Sequence, residues 1–392
     1  MRSNMSDNTL VNEFYNVLIP DGESFFALPV LQCMGRMNNV RTYVLSNDRL
    51  APIRFSRYTR RFFSYPAPEG EAGRLEAILR IVKENKIDII LTIDEPTIRF
   101  LAENGHELLK YTSIAPYPKP EIFDNVVDKW KFANWLNEHN IAYPTTILYQ
   151  TSAGFIKELA TLTFPVLIKP AKGNGGIGIK FFDDAPSLIE YCSKNIQSGE
   201  YIVQSFIDGY DVGCSILSQE GKILAVTMQK RAVNVPRTFS PFTNIDFLYD
   251  HDIYEVIEKI IQNTKWSGVA HFDLRYDEKE KRVKVLEINA RFWQSIVGSF
   301  YAGVNFPYLA ILAGLNHALP PVHFKHIHYV NPQTAIHILT KSIFKNKNKT
   351  EKFDASKLEI HLKDPLPLIS TKCLQLFKKI KNIFQKNRAL KA

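Results

Sequence analysis

The segment that most constrains the fold is a glycine-rich stretch between two apolar runs, FPVLIKPAKGNGGIGIKFF at residues 164–182. Four of the six residues from 173 to 178 are glycine, a density that costs backbone order and therefore needs a reason. The flanking runs are β-branched or alternate in polarity, which predicts a strand on each side. We expect a hairpin flap whose bare backbone N–H groups can lie against phosphate oxygens, with positive φ available at each glycine.

Two other known phosphate-binding motifs do not fit the residues around this stretch. Gly173, Gly175 and Gly178 match the letters of the dinucleotide fingerprint, but that motif must open a helix and this one leads into an alternating run. A Walker A loop ends in Gly-Lys-Ser/Thr, whereas Gly178 is followed by Ile179. Lys169 precedes the loop in the apolar strand VLIKP, where a lysine needs an anionic partner that a triphosphate would supply.

A second cluster of polar side chains lies on two later strands, VAHFDLRYD at 269–277 and VKVLEINARFWQS at 283–295. Glu287 and Asn289 are two residues apart and therefore face the same side of their strand. Together with Asp273 they offer the oxygen ligands that Mg²⁺ prefers. Arg291 continues this face, where it could hold a transferring phosphoryl group or a substrate carboxylate.

The chain has 392 residues and a net charge of +9, and the charge is unevenly distributed. Residues 341–392 contain 14 Lys and Arg against 4 Asp and Glu, so the preceding body is close to neutral. This balance argues against a nucleic-acid-binding body. The four cysteines are far apart, and the first ten residues are polar, so we expect reduced thiols and a cytoplasmic protein.

Three regions differ in pattern. Strands and helices alternate up to the proline-rich stretch 115–120, which predicts an α/β domain with a parallel sheet. Asp94, Glu23 and Glu95 follow strands of that sheet, either as a substrate-facing rim or as turn and cap residues. A helix at 124–140 and a strand at 141–149 then open a mixed α+β region with antiparallel hairpins. Regular periodicity is lost from about residue 319.

Taken together, these motifs resemble the ATP-grasp superfamily, in particular its carboxylate–amine ligases of the biotin carboxylase and carbamoyl-phosphate synthase branch. The resemblance rests on Asp128-Lys129, the FPVLIKP flap, YIVQSFIDG at 201–209 and the LEINAR strand. It implies a Rossmann-like pre-ATP-grasp domain at 1–118 and a two-lobed ATP-grasp domain at 119–318. The flap lobe would cover about 119–200 and the metal-binding lobe about 201–318, with a basic C-terminal extension at 319–392.

The resemblance also implies roles for individual residues. The nucleotide would be held by Lys129, Lys169, Gly173, Gly175, Gly176, Gly178, Gln204, Ile207 and Asp211. Asp273, Glu287 and Asn289 would bind Mg²⁺ or Mn²⁺, and Arg291 and Lys169 would be catalytic. Two of these positions depart from the family pattern, since glutamate is more common at the positions of Gln204 and Asp273. Arg231 in the basic loop after 230, with Glu95 and Glu23, would face the substrate.

The implied reaction is ATP-dependent ligation of a small-molecule carboxylate to an amine through an acyl phosphate, releasing ADP and phosphate. Two alternatives stay open, a kinase on the same fold and an ATP-binding regulator without turnover. We expect a homodimer and no nucleic-acid partner. The last residues place apolar side chains at spacings of three and four opposite lysines, which predicts an amphipathic helix at 371–392. That helix either contacts the inner face of a membrane or docks on protein, with DPLPL at 364–368 as a hinge.

Overall fold

The computed structural model describes residues 14–65, 70–151, 153–173, 175–232, 244–344 and 352–389. Arg237, which the sequence placed in the basic loop after residue 230, lies outside these ranges. Among the described helices, none is both long and apolar enough to cross a bilayer.

The N-terminal region is a five-stranded parallel sheet of order β3-β2-β1-β4-β5. Val17, Leu18 and Ile19 of its first strand are fully buried, as expected of a parallel sheet that helices cover. The alternation predicted from the sequence is confirmed. The elements are β1 (Tyr15–Ile19), α1 (Ala27–Met34), β2 (Val40–Ser46), a 3₁₀ turn (Pro52–Phe55), β3 (Thr59–Ser64), α2 (Gly70–Asn85), β4 (Ile89–Ile90), α3 (Glu95–Leu108) and β5 (Ser113–Ile114).

A four-stranded sheet of order β6-β9-β7-β8 carries the glycine-rich segment. Its strands pair antiparallel, and β7 and β8 form the predicted hairpin. The elements are α4 (Pro120–Val126), α5 (Lys129–Glu138), β6 (Thr146–Leu148), α6 (Ala153–Leu159), β7 (Val166–Pro170), β8 (Lys180–Phe182), α7 (Ala185–Asn195) and β9 (Tyr201–Ser205).

The single helix predicted at 124–140 is wrong, because the chain forms two helices there. Asp128 has an extended backbone, and its carboxylate accepts hydrogen bonds from the backbone N–H groups of Trp130 and Lys131. This is an N-cap, which begins α5 and separates it from α4. The strand expected at 141–149 is also shorter and consists of β6 alone.

A seven-stranded sheet of order β14-β13-β10-β11-β12-β15-β16 forms the largest layer. Along this sheet, the neighbours β14, β13, β10 and β11 pair antiparallel. Strands β10 and β13 pair along almost their whole length. The elements are β10 (Gly209–Gln219), β11 (Lys222–Arg231), β12 (Asn244–Phe247), α8 (His251–Thr264), β13 (Gly268–Asp277), β14 (Arg282–Asn289), α9 (Ile296–Tyr301), α10 (Phe306–Gly314), β15 (Ile327–Val330), α11 (Pro332–Phe344), β16 (Ala355–Ser356), α12 (Leu358–Lys363) and α13 (Leu366–Ala389).

The chain after residue 319 is more regular than its sequence pattern suggested. Strands β15 and β16 extend the seven-stranded sheet across the boundary predicted at 318. One apolar core runs from β1 and α1 through α9 and α10 to Ile360 in α12. The last part of the chain therefore packs against the same core as the first strand.

The predicted hinge at 364–368 is also wrong. Asp364 is 1% exposed, and its carboxylate accepts hydrogen bonds from Gln32, Ser56 and the backbone N–H of Arg57 at 2.7–3.0 Å. Pro367 is the second residue of α13, a position where the backbone N–H has no partner within the helix, so proline does not break it. This segment fixes the start of α13 on the N-terminal region.

Candidate active site between the flap and the large sheet

A cavity of about 720 Å³ lies between the glycine flap and the seven-stranded sheet. The flap sheet, the large sheet and the chain after β1 each contribute to its walls. Its lining includes most residues that the sequence selected, namely Lys169, Gly175, Gly176, Gln204, Ile207, Asp211, Arg231, Asp273, Glu287, Asn289 and Arg291. Residues more than 100 positions apart in the sequence therefore meet at one concave surface, the usual form of a small-molecule site.

The flap is the antiparallel hairpin that the glycine pattern predicts, with Ile168 opposite Lys180. Gly173, Gly175, Gly176 and Gly178 all have φ between 70° and 124°, a region that side-chain-bearing residues rarely adopt. No heavy atom lies within 4 Å of a Cβ built on Gly173 or Gly175. Backbone conformation, and not crowding, is therefore what requires glycine at these two positions.

Two lysines stand beside the flap. Lys169 is 6% exposed, and burial lowers its pKa to about 8, although the carboxylate of Glu287 opposes that change. The Nζ atom of Lys129 lies 3.1 Å from Oε2 of Glu287 and donates a hydrogen bond of 2.6 Å to the carbonyl of Gly173. Lys129 thus joins the flap to β14, and the carboxylate of Glu287 that it contacts also acts electrostatically on Lys169.

The predicted metal ligands lie on adjacent strands in register. Asp273 on β13 is directly opposite Glu287 on β14, and the Nδ2 atom of Asn289 donates to Oδ2 of Asp273 at 2.8 Å. Among the described residues, no cluster of three or more His, Cys, Asp or Glu side chains is placed to hold a metal ion. Any cation here would therefore be held by two carboxylates and one amide, a set that suits a metal which keeps water and phosphate ligands.

Arg291 connects this carboxylate face with the N-terminal sheet. Its guanidinium donates to Oδ1 of Asn289 at 2.8 Å and to the carbonyl of Phe292 at 3.0 Å. Its Nε atom lies 3.8 Å from Asp94 and 3.7 Å from Glu95, at the start of α3. Burial raises the pKa of Glu95, and the charge of Arg291 opposes this increase. Arg291 is thus held by hydrogen bonds and nearby carboxylates of the protein, and it also lines the cavity.

The end of β9 and the loop after it, residues 204–209, form a segment that we call the hinge. Arg275, which the sequence analysis missed, holds this hinge in place. Its Nε donates to the carbonyl of Ile207 at 2.5 Å, and another nitrogen donates to the carbonyl of Gly209 at 2.9 Å. The same guanidinium forms an ion pair with Asp211. Arg275 is two residues after Asp273 and faces the same side of β13, which is the signal that could have identified it.

The side chain of Gln204 is engaged within the protein, because its Nε2 donates to Oγ1 of Thr146 at 2.8 Å. A role for Gln204 toward a ligand would therefore have to come from its backbone. Asp211 is similarly placed between Arg275 and Arg231, whose Nε lies 3.8 Å from the second carboxylate oxygen. Because these side chains already have partners within the protein, a planar ligand would have to hydrogen-bond to the backbone of the hinge.

Comparisons with known proteins agree with this geometry. A family model described as an ATP-grasp domain matches residues 126–295, which contain the flap, the hinge and both carboxylate strands. Residues 126–295 therefore match the ATP-grasp family. This confirms the resemblance inferred from the sequence.

Among the curated relatives of this chain is a D-aspartate ligase of Enterococcus faecium, 23% identical over 285 residues that cover 66% of each chain. The chain spans just under two thirds of that relative's length and about a quarter of a Thermoanaerobacter carbamoyl phosphate synthase large chain, which is 26% identical to it.

Two solved structures share the fold. The L-amino acid ligase from Bacillus licheniformis has a TM-score of 0.58 at 20% identity, covering 77% of this chain and 74% of that one. The N5-carboxyaminoimidazole synthetase from Staphylococcus aureus, solved with ADP, has a TM-score of 0.62 at 17% identity, covering 81% and 82%. These likenesses confirm the predicted fold class, an α/β region followed by an ATP-grasp fold.

Some predicted residues lie away from the cavity. Glu23 accepts a hydrogen bond from the backbone N–H of Asn47 at 3.2 Å and does not line the ATP-grasp cavity. Glu95 lies 3.7 Å from the Nε atom of Arg291, and it does not line the cavity either. Phe25 and Phe26 do reach the wall, and the sequence analysis did not select them because neither carries reactive chemistry.

Proposed function

We propose that this protein is an ATP- and Mg²⁺-dependent, ADP-forming ligase that joins a carboxylate to an amine. The observation that supports this most directly is the convergence of Lys129, Lys169 and the glycine flap on Glu287, opposite Asp273. Two cations, flexible backbone donors and a carboxylate face are what a nucleoside triphosphate with its metal requires. The similarity to ligases supports a reaction in the class of carboxylate activation.

In this proposal the triphosphate lies under the flap and the base lies against the hinge. Lys169 supplies a buried positive charge toward the phosphates, and Gly175 and Gly176 line the same cavity, where their N–H groups would bind phosphate oxygens. Gln204 and Ile207 of the hinge line the cavity, where their backbone would bind the edge of the base. Arg275 is a positioning residue, because it fixes the carbonyls of Ile207 and Gly209.

The carboxylate strands fit a divalent cation. Asp273 and Glu287 supply two anionic oxygens, and the amide of Asn289 is held between Asp273 and Arg291. Asp273, Glu287 and Asn289 would hold Mg²⁺ or Mn²⁺, which would supply positive charge to neutralise the triphosphate during transfer. Here Lys129 shares Glu287 with that site, so phosphate binding and metal binding would be linked through one side chain.

Arg291 is placed to hold the acid that is activated. A substrate carboxylate oxygen attacks the γ-phosphorus, the bond to the β–γ bridging oxygen breaks, and ADP leaves with that electron pair. The amine then attacks the carbonyl carbon, phosphate leaves, and the amine loses a proton. Arg291 holds the carboxylate in line, and its charge offsets the negative charge that builds up on the transferring group. The closed flap would exclude water from the acyl phosphate.

Substrate identity is proposed only by class. Arg231 and Arg291 are both cationic, and both line the cavity, together with Gln229, Ser295 and Trp293. Such a lining suits a small acid with additional polar groups. We also propose that the enzyme is a homodimer, which sedimentation velocity of the full chain would test.

The experiment is ADP and phosphate release from Mg-ATP in the presence of hydroxylamine, across amino acids, small diacids and sugar acids. We expect one carboxylate to give a hydroxamate, and we expect Glu287→Gln to abolish it. The matched control is Glu278→Gln, an exposed glutamate in the turn after β13 and outside the cavity lining. ADP without hydroxamate would instead support the kinase, and AMP as the product would contradict activation through an acyl phosphate.

A further inference from the structure

The last helix of the chain has an apolar face that the rest of the described structure does not cover. On α13, Leu376 is 59% exposed and Phe377 is 68% exposed. Helical spacing of three and four places them on one face with further exposed side chains. We call this face the tail surface, and its residues are Ile369, Cys373, Leu376, Phe377 and Ile380.

A different face of α13 contacts the body. Pro367 is buried, and Ser370, Thr371 and Leu374 are half-buried, whereas every residue of the tail surface is exposed. The helix packs against the 3₁₀ turn at Pro52–Phe55, and Asp364 fixes its beginning. The expectation that the apolar face docks on the body therefore does not apply to the described part of the helix.

The charged side chains of α13 and of the residues after it have one sign. Residues 365–392 contain seven Lys and Arg and no Asp or Glu. Lys372 and Lys379 are exposed and, by helical periodicity, lie at one edge of the apolar face. Arg57, next to the start of the helix, donates to the carbonyl of Lys363 at 3.3 Å and adds another cation.

Two occupants could cover such a face, and the charge distinguishes between them. A second copy of this helix would bring lysines against lysines, without the acidic side chains that paired helices use to offset them. An anionic bilayer presents apolar chains beneath negatively charged headgroups, which matches an apolar face bordered by lysines. We propose that the tail surface binds an anionic membrane, with the helix lying in the plane of the interface.

The anchor at Asp364 determines what such binding would do to the protein. Because the helix begins at a buried carboxylate with three donors, it cannot swing freely from the body. Leu362 and Leu366, 74% and 58% exposed, lie close to this anchor in sequence. From Leu366 to Ile380 the helix is about 21 Å long, at 1.5 Å per residue. Membrane binding would therefore hold the whole enzyme at the surface, not on a flexible tether.

The test is flotation of the full-length protein with vesicles of phosphatidylcholine alone or with about 30% phosphatidylglycerol. We expect binding only to the anionic vesicles, and we expect added salt to weaken it. The double variant Leu376→Ser and Phe377→Ser should lower the bound fraction at least about tenfold. The matched control is Leu109→Ser with Tyr111→Ser, two exposed apolar side chains on the N-terminal region, 57% and 50% exposed, which should bind as the wild type does.

Folding and ATP turnover are checked in parallel, since the tail surface lies outside the proposed active site and its variant should keep both. Equal flotation of the wild type and the tail variant would overturn the proposal. So would the absence of binding to anionic vesicles. A wild-type dimer that the tail variant converts to a monomer, without vesicle binding, would identify a second copy of the chain as the occupant and would also overturn it.

Discussion

The Nε atom of Arg291 lies 3.7 Å from Oε1 of Glu95, so the arginine at the end of the carboxylate strand is paired with the N-terminal sheet. Glu95 begins α3, where the helix N-terminus already favours a negative charge. Asp94 lies 3.8 Å from the same nitrogen. Arg291 therefore has two roles, in the cavity and between two acids of another layer, and substitutions can separate them.

Replacing Arg291 by alanine should lower both turnover and stability. Two enclosed carboxylates would lose their cation, which should cost about 1–3 kcal/mol in the free energy of unfolding. Adding Glu95→Gln should recover part of this stability, because an amide does not need the cation, whereas turnover should stay at least about 100-fold low. Denaturant unfolding and ADP release measure the two effects. Recovery of turnover in the double variant would contradict a direct role of Arg291.

Nucleotide binding should depend on pH through Lys169. Burial lowers the pKa of this amine to about 8 in the free protein, so the positive charge is present below that pH and lost above it. Affinity for ADP should therefore fall as pH rises from about 7 to 9. Lys169→Arg keeps its charge throughout this range and should show a flatter profile. Titration calorimetry measures both, and identical slopes would show that Lys169 does not bind the phosphates.

Stability should depend on pH through Asp21. Burial raises the pKa of this carboxyl from 3.8 to about 7, with Arg74 opposing the change. The folded state then binds a proton more tightly than the unfolded state, so the free energy of unfolding falls as pH rises from about 4 to 7. Asp21→Asn has no such proton. Its free energy of unfolding should therefore fall less than that of the wild type over that range, by about 1–4 kcal/mol. If the free energy of unfolding changed by the same amount in the wild type and in Asp21→Asn between the two pH values, this assignment would be contradicted.

Asp364→Ala should destabilise the protein strongly. It leaves Gln32, Ser56 and the backbone N–H of Arg57 without their acceptor, in a place that is 1% exposed. We expect a loss of about 2–4 kcal/mol in the free energy of unfolding. Glu76→Gln, on the exposed face of α2, is the matched control and should change stability by less than about 0.5 kcal/mol. A small effect of Asp364→Ala would mean that this segment is not an anchor.

The parts of the site that could be predicted from sequence are those encoded within one hairpin. Glycine spacing indicated the flap because positive φ is a local requirement, and the alternation in β14 placed Glu287 and Asn289 on one side. Lys169 stood out because a charge in an apolar strand is a local anomaly. Each of these inferences needs only neighbours in the chain.

The contacts that sequence missed depend on distant partners. Arg275 bonds to Ile207 and Gly209, which precede it by more than 60 residues. The acceptor role of Asp364 depends on residues more than 300 positions earlier. Glu23 was misplaced for a related reason, since alternation identifies the rim of a sheet but does not show which rim residues reach the cavity. The break at Asp128 was local, and the Asp128-Lys129 motif of the resemblance already marked the start of a helix there.

The core that β1 and α1 share with α9, α10 and Ile360 has a consequence for modularity. Because the first described strand and Ile360 are buried in one core, we expect the N-terminal sheet and the C-terminal elements that share this core to unfold together. Removing the C-terminal 74 residues at the predicted boundary would open the core under the N-terminal sheet. Recombination between such proteins would then have to exchange both ends of the chain together, so the two ends are expected to diverge as a pair.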